Sequence, residues 1–327
     1  MPVSQSKKWV ILGTGGTIAG LAPDAQAPTQ YQAAQVSAQD LLTQWGLAGA
    51  GEWVFDQVAQ IDSKDMNEAV WRHLLARCLH WQADPEVAGV VVTHGSDTLE
   101  ETAFLLHWLL PEHACPVVLT GAMLPSNAPQ TDGPDNLRLA LAWLASGHAQ
   151  GVSVAFGGHI LHPEWVTKSH ADRLRAFTSG DCPPVAHRQE GKWVLGEDIQ
   201  PLRQNWPKPT MAAVLADRPW PQVEVFVHHA QANPWWLSPS VRAHQAGVAL
   251  KGVVLAATGH GTFNAAWQEA LEGLHQQGIR VAVASRCAFS TVWPAERQAG
   301  WWYADHLNAV KTRLALQLAC LAQEDKA

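Results

Sequence analysis

Short apolar runs at residues 9–13, 87–93, 116–123 and 152–156 alternate with segments of helical apolar spacing at 66–81, 99–110 and 135–146. Continuous apolar runs of this length read as strands buried on both faces. Their alternation with helices predicts βαβ units around a parallel sheet. A stretch punctuated by Pro201, Pro207, Pro209, Pro219 and Pro221 breaks the periodicity and reads as a linker over residues 201–221. A second α/β set follows, with strands near 223–228, 252–257 and 280–284 and helices near 264–276 and 306–322. The pattern predicts two α/β domains: a larger N-terminal parallel-sheet domain over residues 1–200 and a smaller C-terminal one over residues 222–327.

Two of the strand-like runs end in Gly-rich turns that carry hydroxyls. The first is Trp9-Val10-Ile11-Leu12-Gly13-Thr14-Gly15-Gly16-Thr17-Ile18, and the second is Val90-Val91-Val92-Thr93-His94-Gly95-Ser96-Asp97-Thr98. Ligands of open α/β sheets sit beyond the carboxyl ends of strands, so both turns are expected to face one crevice. One brings Thr14 and Thr17, the other Ser96 and Asp97. The first turn fails the dinucleotide fingerprint, because Ile18 stands where its third Gly belongs, and no Lys follows to make a Walker loop. Spacing alone leaves a phosphate cradle, a plain structural turn and a catalytic hydroxyl open. In the second turn, Thr98-Leu99-Glu100-Glu101 fits a capping box with Thr98 at the N-cap and Glu101 at N3. Asp97 then lies at a helix start, where complementing the helix dipole is its simplest role.

Bulk numbers narrow the classes. Of 327 residues, 47% are apolar, ample for real cores, and the net charge of −7 offers no basic surface to nucleic acid. The 17 Trp residues are expected to be packing residues. Five scattered cysteines without a C-x-x-C argue against a disulfide framework and fit a reducing compartment. The 16 His include no H-E-x-x-H, so no metal site is suggested. Lys7-Lys8 before an apolar run imitates a signal peptide, yet that run carries Thr14, Gly15 and Gly16. No apolar run reaches the length of a membrane span. The protein is expected to be cytoplasmic.

Thr14-Gly15-Gly16-Thr17-Ile18-Ala19-Gly20 and His94-Gly95-Ser96-Asp97-Thr98-Leu99-Glu100-Glu101-Thr102-Ala103 resemble the two signature motifs of the bacterial-type L-asparaginases, amidohydrolases with a threonine nucleophile. Ser63-Lys64-Asp65-Met66-Asn67, Gly121-Ala122-Met123, Asp132-Gly133-Pro134-Asp135-Asn136-Leu137 and Val166-Thr167-Lys168 follow the family order, so the resemblance covers nearly the whole chain. It implies hydrolysis of L-asparagine to L-aspartate and ammonia through a Thr-linked acyl-enzyme, with weaker L-glutaminase activity and no cofactor. It also implies a homotetramer or homodimer whose sites are shared across an interface.

The resemblance further assigns roles. Thr14 is the nucleophile, Gly15 and Gly16 let backbone N–H groups approach the oxyanion, and Tyr31 closes over the site from the loop at residues 22–35. Ser96, Asp97 and Lys168 form a second triad, with Ser96 standing where the family nearly always has Thr. Ser63 binds the substrate α-carboxylate, Asp97 the α-ammonium, and the Ala122 carbonyl the leaving amide. Lys64 either pairs with the α-carboxylate or points to water. Glu296 is carried over as the acidic residue supplied by a neighbouring subunit, and His260 takes the place of a family Asn that reaches the neighbouring site. Two other functions fit parts of the pattern. An inactive amino-acid-binding sensor is opposed by the presence of Thr14, Tyr31, Asp97 and Lys168. An ammonia-supplying amidotransferase subunit normally has an extra N-terminal domain, whereas here about eight residues precede the first strand.

Overall fold

The computed structural model describes residues 8–26, 30–47, 52–197, 199, 202, 205–237, 250–293 and 297–325. The chain divides into two compact units, Met1–Ile199 and Gln200–Ala327.

The first unit runs β1 (Lys8–Gly15), α1 (Ala38–Gln44), β2 (Glu52–Ile61), α2 (Glu68–Gln82), β3 (Val87–Thr93), α3 (Leu99–Leu109), β4 (Val117–Thr120), α4 (Gly133–Ala145) and β5 (Val152–Phe156), then the short strands β6 (His159–Leu161), β7 (Thr167–Lys168), β8 (Phe177–Thr178), β9 (Ala186–Gln189) and β10 (Lys192–Leu195). Eight strands form one sheet in the order β10-β9-β6-β5-β4-β3-β1-β2. β2, β1, β3, β4 and β5 pair in parallel, whereas β6, β9 and β10 add antiparallel pairs. The sheet is therefore mixed rather than wholly parallel.

The apolar runs become the strands covered on both faces. Val10, Ile11 and Leu12 of β1 are fully buried, and Ile11 joins Val91, Val118 and Ala155 from neighbouring strands in a core closed by Leu137, Ala140 and Trp143 of α4. β2 is the edge strand, and its half-exposed, polar-laced sequence follows from having one neighbour.

Helix starts show where side chains were diverted. Asn67 caps α2 in the ordinary way, its side-chain oxygen accepting the N–H groups of Ala69 and Val70. Thr98 holds the N-cap position of α3 but makes no capping bond, contrary to the predicted capping box. Its hydroxyl instead donates to the Ser63 carbonyl at 2.8 Å, tying α3 to the turn after β2. Asp132, at the N-cap of α4, also makes no capping bond.

The second unit contains α5 (Met211–Leu215), β11 (Gln222–Val227), β12 (Leu250–Ala257), α6 (Ala265–Gln276), β13 (Arg280–Ser285), β14 (Trp302–Asn308) and α7 (Ala309–Glu324). Its four strands are parallel in sequence order. The helix predicted from residue 306 begins after β14 ends, where the Asn308 side chain caps the N–H of Lys311. Trp206 is buried against Trp302, their rings 4.9 Å apart, so residues before α5 pack with this unit.

Because β4, β3, β1 and β2 are parallel neighbours, the turns at their carboxyl ends leave one edge of the sheet side by side. Two of them touch through bare backbone. A Cβ placed on Gly16 would lie 2.2 Å from the Cα of Gly95, and Gly16 has φ +79°. Gly147 shares a similar φ of +75° but has open space around it. Gly147→Ala is expected to cost only the left-handed penalty of about 1–2 kcal/mol. Gly16→Ala must also push two backbones apart and should cost at least about 2 kcal/mol more, on the scale of overpacking. Urea unfolding of the two variants measures the difference, and equal losses would remove the close approach as a constraint.

Candidate active site

The turn after β1 carries two threonines with different fates. Thr14 is 1% exposed, and its hydroxyl donates to the Thr93 carbonyl at 3.0 Å, bonding one central strand to the next. Gly15 and Gly16 then both take positive φ and swing the chain out of the sheet. Thr17 is the next residue, opening a short 3-10 turn over Thr17–Ala19. Its Oγ1 lies 2.7 Å from the Tyr31 hydroxyl. Tyr31 thus meets Thr17 and makes no hydrogen bond to Thr14. The Gly16 N–H is bonded to the Ile61 carbonyl at 2.8 Å, so it is not free to hold an oxyanion.

Tyr31 sits at the base of a surface loop. Leu21 and Gln32 exchange two backbone hydrogen bonds of 2.9 Å, closing the loop between them. On either side of that bridge, Ser126 holds the Gly20 carbonyl and the Asn127 side chain holds both backbone groups of Ala22. The Tyr31 ring lies over Gly20, where an added Cβ would come within 2.8 Å of its Cδ2. The hydroxyl is thereby brought to Thr17 by a packed ring and an anchored backbone.

The turn after β3 carries the second constellation. The Lys168 ammonium donates to Ser96 Oγ at 2.8 Å and to Asp97 Oδ1 at 2.6 Å. Ser96 is buried and Asp97 is more than half exposed. Lys168 comes from β7, some seventy residues later, and is delivered by Glu100. That buried carboxylate on the first turn of α3 accepts the Lys168 N–H and the Thr167 hydroxyl, both at 3.2 Å. Ser63, after β2, is buried, and its Oγ accepts the Asp97 N–H at 3.2 Å. Ala122, after β4, is fully buried.

Not every expected residue joins this group. Lys64 is exposed, and its ammonium is engaged by Asp62 at 2.6 Å and Asp65 at 3.4 Å. Those carboxylates, with the Asp62 hydrogen bond foremost, pull its pKa upward. His260 is exposed in the second unit, with Nδ1 2.7 Å from the Thr291 carbonyl. Glu296 lies outside the described residues. Among the described residues, no group of three or more His, Cys, Asp or Glu side chains is placed to hold a metal ion.

A buried histidine backs the second turn. His94 Nδ1 is 2.7 Å from the Gly95 carbonyl, which can only accept, so Nδ1 carries the proton. Nε2 then accepts from the Thr102 hydroxyl at 2.9 Å, whose oxygen accepts the Trp71 indole N–H at 2.9 Å. Every proton in the chain has one direction, and a second proton on His94 would reverse the Thr102 link. Burial, against a smaller opposing pull from the Gly95 carbonyl, lowers the His94 pKa to about 4. Unfolded His94 would take its proton near pH 6.5 and the native residue only near 4, so the unfolded state binds more protons between those values. Stability is expected to fall as pH drops across that window, by about 3 kcal/mol from this residue. His94→Asn should flatten this slope in urea titrations between pH 4 and 7, and an unchanged slope would refute the assignment.

Comparison with known proteins covers both units. Residues 8–200 match the family described as Asparaginase, N-terminal, and residues 222–327 match the Glutaminase/Asparaginase C-terminal domain. L-asparaginase 2 of Escherichia coli is 31% identical over 96% of this chain and 89% of its own. The Glutaminase-asparaginase of Pseudomonas fluorescens biotype A is 30% identical over 97% and 87%. The crystal structure of a probable cytoplasmic L-asparaginase from Campylobacter jejuni superposes with a TM-score of 0.83 at 30% identity, covering 96% of this chain and 94% of the other.

Proposed function

The chain belongs to the asparaginase family and hydrolyses L-asparagine to L-aspartate and ammonia, and we propose that Thr17 is the residue it acylates, in place of the Thr14 suggested by motif comparison. The observation that carries this reading is the 2.7 Å contact between Thr17 Oγ1 and the Tyr31 hydroxyl. A threonine hydroxyl is a weak nucleophile and needs a proton acceptor within hydrogen-bond reach. Thr17 has one in Tyr31, whereas the Thr14 proton is committed to a backbone carbonyl inside the sheet.

In the first half-reaction, Thr17 Oγ1 bonds to the side-chain carbon of asparagine while its proton passes through Tyr31. The carbon–nitrogen bond breaks, and ammonia leaves with a proton. A β-aspartyl ester remains on Thr17. Water then attacks the ester, the threonine oxygen leaves and regains a proton, and aspartate is released. The Ser96 oxygen is held by the Lys168 ammonium, which leaves the Ser96 proton directed away from the lysine and available for relay. Asp97 takes the substrate α-ammonium, its exposure and its Lys168 partner fitting a carboxylate that receives a cation from solvent. Ser63 takes the α-carboxylate, and the Ala122 carbonyl takes the leaving amide. Asparagine is preferred, with weaker activity on glutamine. These paired hydroxyls speak against an inactive sensor, which has no use for two proton routes.

The family resemblance also supplies Glu296 from a neighbouring subunit, and with it a homotetramer or homodimer. Free cysteines among the described residues accord with a cytoplasmic setting.

Thr17→Ala is expected to lower the rate of ammonia release by roughly 10³-fold or more, the scale of a lost nucleophile. Thr14→Val should lose one hydrogen bond worth about 1 kcal/mol of stability and keep activity within about tenfold. The opposite ranking would return the nucleophile to Thr14. Subunit sharing has its own test: inactive Thr17→Ala and Glu296→Ala proteins, mixed and reassembled from mild denaturant, should recover part of the activity. No recovery after confirmed exchange would put each site within one chain.

A further inference from the structure

The Asp132-Gly133-Pro134-Asp135-Asn136 stretch has no role in the acyl transfer described above. Its simplest reading is a helix start, with Asp at the N-cap and Pro in the first turn. The geometry contradicts that for Asp132, whose side chain makes no capping bond. Both carboxylate oxygens turn instead to the loop after β4. Oδ1 accepts the N–H of Met123 at 2.9 Å and of Leu124 at 3.1 Å. Oδ2 accepts the Met123 N–H at 3.1 Å and the Asn136 amide at 2.9 Å. Asn136 is 3% exposed, and its amide also donates to the Gly121 carbonyl at 3.0 Å, while its oxygen accepts the Gly157 N–H at 3.0 Å. Thr131 adds a hydroxyl to the Leu124 carbonyl at 3.2 Å.

One peptide plane gives this clasp its meaning. The Met123 N–H and the Ala122 carbonyl belong to the same planar trans amide and point in opposite directions. A carboxylate that grips the Met123 N–H therefore aims the Ala122 carbonyl away from itself. Among the described residues no hydrogen bond reaches that carbonyl, although Ala122 is fully buried. A buried acceptor without a protein partner marks a place for a donor from elsewhere. The turn also lies against the Ser96 and Asp97 turn, since a Cβ on Gly121 would be 2.5 Å from the His94 carbonyl oxygen. Holding an anion here is unfavourable: burial pushes the Asp132 carboxyl above its ordinary value, against the pull of the Leu124 and Met123 N–H groups. A neutral residue would suffice for packing alone.

We propose that Asp132 and Asn136 are positioning residues that fix the Ala122 carbonyl to receive the N–H of the leaving amide, a specificity device for amide over ester substrates. This rests on the acyl-transfer reading given above, in which that carbonyl meets the amide nitrogen.

The test compares L-asparagine with L-aspartate β-methyl ester, whose methoxy leaving group has no N–H. Asp132→Asn keeps the shape but sets an amide N–H against either the Met123 and Leu124 N–H groups or the Asn136 amide. The ratio of kcat/KM for amide over ester cancels the folded fraction in any sample. That ratio should fall by about 10- to 100-fold, the range for a misaligned reacting group. KM for asparagine should move by less than about threefold, because the α-ammonium and α-carboxylate contacts sit on other turns. Asn136→Ala, which leaves the carboxylate in place, should shift the ratio in the same direction. Equal losses on both substrates in these two variants, complete loss included, would reduce the clasp to a structural role and overturn the proposal. Failure of the unsubstituted enzyme to release ammonia from asparagine would instead strike the acyl-transfer reading.

Discussion

The approach of Gly16 to Gly95 is the constraint on which the site depends. Two turns can lie that close only if neither carries a side chain at the point of contact. The parallel sheet brings the strand ends together, and the bare backbone lets the turns meet. The same economy recurs on both flanks. Gly95 would strike the Ser63 hydroxyl if it had a Cβ, and Gly121 would strike the His94 carbonyl. Four strand ends thus share one packed ledge, which carries the side chains of the candidate site.

Helix starts around that ledge have given up their usual duties. Thr98 and Asp132 both stand at N-caps, yet each sends its side chain to a neighbouring turn. A missing cap costs a helix about 1 kcal/mol. α3 offsets it through burial, since Leu99, Ala103, Phe104, Leu105 and Leu106 are fully buried. Glu100 and Thr102 continue the pattern on the same helix, one reaching β7 and the other His94. Positions 98, 100 and 102 therefore tie three different segments, the turn after β2, strand β7 and the turn after β3, to one helix.

Much of this was legible in the sequence, and the exceptions have physical reasons. Central strands such as β1 and β3 announce themselves because burial on both faces demands unbroken apolar runs. β2 has one neighbour, and Glu52, Asp56, Gln57 and Gln60 break its apolar residues into pieces of three or fewer, so its ten residues carry no such run. The strands from β6 to β10 are two to four residues long, too short for any period to register. Ser96 and Asp97 could be placed from a strand end and a helix start alone, but Lys168 could not, because nothing local links β7 to α3. Thr17, the residue proposed to be acylated, is visible in the sequence as a hydroxyl, and so is Thr14. The double glycine held the signal: a residue before it is still in the strand, and the residue after it has left the sheet. Asp132 was hidden by a complete local explanation, since Asp-Gly-Pro reads as a helix start whatever else the carboxylate does.

The bridge between Leu21 and Gln32 has a consequence for how such loops change over time. It closes the loop at its root, and Tyr31 sits beside that root rather than at the tip. The entropy of closing a loop grows only as the logarithm of its length, about 0.6 kcal/mol for each doubling. Residues can thus be gained or lost beyond the bridge at little thermodynamic penalty, while the phenol stays in register with Thr17. The stretch between Ala22 and Tyr31 is open to drift in length, and those two anchors are not.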